Sequence, residues 1–61
     1  MNNQEKAIIY DDCIRQVEVL QRENSRLKSQ YVTNIPQHIQ KVISENEIKI
    51  SKFVKKLESL F

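Results

Sequence analysis

The residues whose type and spacing come nearest to an acid/base pair are Asp11 and Asp12, with Glu5 and Glu18 within two helical turns on either side. Such a pair works when one carboxyl is held protonated and the other ionised, which takes a concave pocket with contrasting environments. Adjacent carboxylates on a thin helix form a solvated face instead, so no acid/base role is assigned to them. His38 is the one histidine and Cys13 the one cysteine. A structural zinc site needs about four such ligands, and an activated nucleophile needs a base within hydrogen-bond reach. Cys13 is therefore read as a small buried hydrophobe, and His38 as a solvent-facing residue in the first turn of a helix. The chain has no glycine, which removes the phosphate-cradling loops and dinucleotide turns that depend on it. Nothing in the sequence forms a catalytic, cofactor-binding or metal-binding set, and no small-molecule substrate is implied.

Lys49, Lys52 and Lys56 recur at helical spacing, with Lys55 beside them and Phe53 and Phe61 interleaved. This ridge could hold nucleic-acid phosphates or an anionic membrane surface. Ten basic residues against eight acidic ones leave a formal net charge of +2, well short of the excess that marks a dedicated nucleic-acid binder. The lysines are read first as solubilising an outer face, with anion binding as the alternative. No apolar run approaches the roughly 18 to 20 residues that span a bilayer, and the N-terminus lacks a signal-peptide pattern. An intracellular, reducing compartment is the expectation, with membrane and nucleic-acid partners disfavoured.

The elements that carry these residues are written in two apolar ladders with steps of three and four. The first is Tyr10, Cys13, Val17, Leu20, Asn24, Leu27 and Tyr31; the second is Ile39, Ile43, Asn46, Ile50, Phe53, Leu57 and Leu60. This spacing puts each ladder on one helical face, and its strict repetition marks a seam that meets another helix. The fold class is all-α, and the whole chain is one module. Asn2 with Glu5 has capping-box spacing, so helix 1 is expected over about 3–31. Pro36 disfavours helical geometry at Ile35 and suits the first turn of a new helix. A break over 32–35 and a second helix over about 36–60 follow, with Asn34 or Ile35 as its cap.

With Tyr10, Val17, Asn24 and Tyr31 at heptad position a and Ile39, Asn46, Phe53 and Leu60 at d, the ladders fit an antiparallel coiled coil. Partners whose residue numbers sum to 70 then face each other in every layer. The single polar layer pairs Asn24 with Asn46, which sets the register because an isolated Asn on an apolar seam is costly unless its amide finds a partner. The implied turn centre is residue 35, beside the proline.

A parallel dimeric coiled coil is the rival. Residues 17–28, Val-Glu-Val-Leu-Gln-Arg-Glu-Asn-Ser-Arg-Leu-Lys, resemble the zipper half of basic leucine-zipper factors over less than a quarter of the chain. The resemblance implies two parallel copies with Asn24 against Asn24 and Glu23 reaching Lys28 of the other copy. The family's DNA-contacting helix is Lys/Arg-rich and lies upstream of the zipper, whereas residues 1–9 here hold one lysine.

At 61 residues, with no disulfide or zinc to brace it, the chain is expected to depend on another chain. Ile9, Ile14, Val42, Val54 and Phe61 at e and g positions widen the apolar stripe beyond a two-helix seam. The expectation is therefore a hairpin that closes as a homodimeric four-helix bundle or on a helical partner protein. Ile48 at an f position is the large apolar residue this scheme leaves outside. The apolar ending from Leu57 to Phe61 fits a segment of a longer protein somewhat better than a complete small subunit. The function expected is non-enzymatic: oligomerisation or docking.

Overall fold

The computed structural model describes residues 2–60; Met1 and Phe61, the latter one of the expected flanking apolar positions, lie outside the described residues. Helix α1 runs Asn3–Gln30 and helix α2 runs Gln37–Leu60. Among the described residues there is no strand.

Asn2 starts α1 from an extended backbone, and its side-chain Oδ1 accepts from the Glu5 N–H at 2.7 Å. That bond satisfies one of the amide donors a helix leaves without a partner at its start. The interior then consists largely of Gln, Glu, Arg, Lys and Leu, which lose little rotamer freedom in a helix. The helix ends without glycine. Tyr31 donates its N–H to the Leu27 carbonyl at 3.2 Å and then departs from helical geometry at φ −115 and ψ 66, and no described residue needs a positive φ.

The start of α2 differs from the expected cap. Asn34 makes no hydrogen bond to the helix. Because α2 begins at Gln37, Pro36 occupies the flanking position, and its carbonyl accepts from Ile39 at 3.0 Å and Gln40 at 2.9 Å. The ring lacks an N–H that the helix would otherwise leave unsatisfied. Gln40 adds a clasp by donating its side-chain amide to the Ile35 carbonyl at 2.9 Å. Helix α2 is continuous through Ser44, which with Glu47 repeats the capping-box spacing.

The two helices pack side by side as a helical hairpin 48 × 15 × 13 Å in extent. A helix of 28 residues is about 42 Å long at roughly 1.5 Å per residue, so the molecule is one helix long and two helices wide. Among the described residues the buried ones are few: Cys13, Leu27, Ile43 and Leu60, with Asn24 and Asn46 among them. No helix among the described residues is long and apolar enough to cross a membrane.

Candidate functional site

The Asn pair is the most specific geometry in the molecule. Asn46 Nδ2 donates to Asn24 Oδ1 at 2.9 Å, and Asn24 Nδ2 donates to the Ile43 carbonyl at 3.2 Å. Both side chains are buried, and among the described residues no buried side-chain nitrogen or oxygen lacks a partner. The ladder spacing predicts the Asn24–Asn46 pair but not the bond to the Ile43 carbonyl. A backbone carbonyl already inside α2 accepts a second donor there, and no residue-type pattern announces that.

Leu27 and Ile43 are buried beside this pair. Farther from the turn, Val17, Leu20, Ile50, Phe53 and Leu57 are only half-buried, whereas Cys13 is 0% exposed. The short thiol side chain is covered completely; Val17, Leu20, Ile50, Phe53 and Leu57 are not, because a second helix covers only one side of each. Tyr31 and Ile39, nearest the connection, are also half-buried. Tyr10, expected in the last core layer, is exposed, although Leu60 opposite it in the register is buried.

Exposed apolar residues are more numerous than the single Ile48 expected. Ile48 is exposed, but Ile8 at 64% and Val19 at 56% are at least as open, and Val54 is exposed as well. Ile8 sits at f and Val19 at c, both outward positions, and an account centred on the ladder overlooked them.

No protein-family model, curated protein or solved structure matches this chain. Function is therefore read from its own residues.

The remaining candidates are surface features. Asp11 and Asp12 are exposed and border a shallow hollow with Ile8 and Arg15. His38 is exposed on the first turn of α2, where it lines an open depression with Gln37, Gln40, Lys41 and Ser44. Among the described residues, no group of three His, Cys, Asp or Glu side chains is arranged to hold a metal ion. Lys49, Lys52 and Lys56 are exposed and take part in no ion pair, while the interleaved Phe53 is half-buried. Lys28 instead reaches across to Glu47 at 3.8 Å. Both of those side chains are mostly in solvent, so the pair is weak but informative about which flanks of the helices meet.

Proposed function

We propose that the chain is a non-enzymatic association module, an antiparallel two-helix coiled coil that is completed by another helical chain and so joins polypeptides in an assembly. The carrying observation is the row of half-buried ladder residues Val17, Leu20, Ile50, Phe53 and Leu57. Full burial of such side chains is worth roughly 1.5 to 3 kcal/mol each, and up to about a third of that is still to be gained at each position. A second hairpin or a foreign helix would supply it.

Three features support the antiparallel register. Asn24 bonds Asn46 at the register position that pairs a with d, Lys28 meets Glu47 at facing e positions, and the helices are joined by a short connection over 31–36. The parallel zipper would part Asn24 from Asn46 and leave the α2 ladder without this partner. The simplest closed form is a dimeric four-helix bundle, in which two hairpins cover one another. A buried, unpaired Cys13 suits a reducing intracellular compartment.

Sedimentation equilibrium of the 61-residue chain under reducing conditions, over a wide concentration range, tests the reading. It is combined with thermal melts in the presence of synthetic amphipathic helices with a leucine face and either lysine or glutamate flanks. A mass above monomer, or a melt raised by at least one peptide, is expected. A monomer whose melting ignores both concentration and peptides would overturn the proposal.

The unpaired lysines favour one second reading, a small regulator that holds nucleic acid or an anionic membrane through Lys49, Lys52 and Lys56. Reversing those three charges discriminates between them. Helix association survives if the first reading holds, whereas capture by a DNA duplex or anionic vesicles disappears if the second does.

A further inference from the structure

The two long flanks of the hairpin are chemically unlike each other. At about 100° per residue, positions a and e share one flank of a helix and d and g share the other. Contact between Lys28 and Glu47, both at e, puts the e flanks of the two helices on the same side of the hairpin. On the d/g flank, Cys13, Leu27, Asn46 and Leu60 are buried, Ile9, Leu20, Val42 and Phe53 are half-buried, and the long side chains of Glu23, Lys49 and Lys56 stand at g. On the a/e flank away from the turn none of the described residues is buried. Ile14, Val17, Ile50 and Leu57 are half-buried and Val54 is 40% exposed.

The rim of this apolar strip carries one sign of charge. Asp11, Glu18 and Glu58 occupy b positions beside it and Glu47 an e position, all exposed. The only basic residue on the flank is Lys28, which already faces Glu47. Arg15, Arg22 and Lys55 lie one step farther round, at outward f positions, and none of them forms an ion pair with the rim.

We propose that this flank docks a basic amphipathic α-helix from another protein. Its apolar side lies on Ile14, Val17, Ile50, Val54 and Leu57, and its lysines or arginines reach Asp11, Glu18, Glu47 and Glu58. Charge complementarity selects this occupant over a second copy of the chain. A two-fold pairing through the a/e flank sets one acidic rim against another, and like charges across an interface act against association. The lysine ridge of a second copy has the right sign but lies on the other flank, so such a contact cannot close and would propagate. The proposal rests on reading the chain as an association module and specifies the chemistry of its partner.

The experiment titrates the full chain with two fluorescently labelled helical peptides that share a leucine face and differ in lysine or glutamate flanks, with anisotropy as readout. The lysine peptide is expected to bind at least about ten-fold tighter, and more weakly as salt rises. Glu18→Lys with Glu58→Lys should reverse the preference, and Val54→Lys, at an already exposed site, should weaken binding of the lysine peptide. Circular dichroism confirms that the variants keep their helices. Equal or tighter binding of the glutamate peptide overturns the proposal while leaving the association module standing. Lysine-peptide binding indifferent to the rim and Val54 variants does the same. A self-associated mass that falls to monomer with Val54→Lys also overturns it, because a second copy then occupies the flank. Binding of neither peptide by a strictly monomeric chain removes both the proposal and the reading beneath it.

Discussion

The layers around the Asn pair and the segment farther from the turn are built from the same apolar ladder, yet they are completed to different degrees. Around the Asn pair, Asn24, Leu27, Ile43 and Asn46 are all buried, and the two amides and a backbone carbonyl bond one another. Beyond it, Cys13 and Leu60 are buried at the far end, but the run of Val17, Leu20, Ile50, Phe53 and Leu57 between is only half-covered. Two helices suffice to enclose a short polar lock and its immediate neighbours. They do not enclose a run of large side chains, because each helix shields only one side of the other. The half-covered segment is where a further helix has most to contribute.

Truncation at the lock should have the largest effect. Leu27→Ala or Ile43→Ala removes buried volume worth about 2 to 5 kcal/mol, comparable to the whole stability available to a hairpin this small. Far-ultraviolet circular dichroism should show extensive loss of helix for either variant in the absence of a partner. If helicity is retained, the contrast between the two regions is weaker than the burial pattern implies.

Next come the amides. Asn24→Leu alone should cost about 1 to 3 kcal/mol by leaving Asn46 without its acceptor in a buried site. Adding Asn46→Leu should restore or exceed the original stability, since an all-apolar layer has no polar group to satisfy. Chemical denaturation of the four members of this double-mutant cycle measures the coupling, and additive effects would break the link between the Asn pair and the register.

The same kind of truncation should matter less away from the turn. Leu57→Ala is expected to cost roughly 1 to 2 kcal/mol in the isolated chain, reflecting its half-burial. With a partner helix bound, the cost should rise toward that of Leu27→Ala, a change measurable as a larger shift in melting temperature. The smallest effect is expected at the surface, where Lys28→Ala removes one exposed ion pair and should change stability by only about 0.2 to 0.5 kcal/mol in a denaturant melt.

Much of the hairpin is legible in one dimension because its determinants are periodic. The ladder repeat, the single proline and two Asn residues at matching places require only counting along the chain. Other features depend on three-dimensional detail that counting does not carry. The Gln40 clasp on Ile35 and the Asn24 bond to Ile43 both use backbone carbonyls, which every residue has and no pattern distinguishes. Asn34 has the right spacing for a cap, but the proline between it and the helix takes the flanking position. Lys28 matches Glu23 of a second copy in a parallel zipper, yet it meets Glu47 across the hairpin. The ladder names the residues that turn inward. It does not reveal how incompletely two helices cover them, nor that Ile8 and Val19 stay outside.

Amide hydrogen exchange on the dilute, reduced chain, followed residue by residue by NMR, tests the central contrast most directly. The strongest protection is expected at the amides of residues 24–27 and 43–46, with faster exchange through 14–20 and 50–57 that slows when a partner helix is added. Protection in a monomer that is uniform along both helices, or greatest in the segment away from the turn, would contradict the account, because that segment would then be complete without a partner.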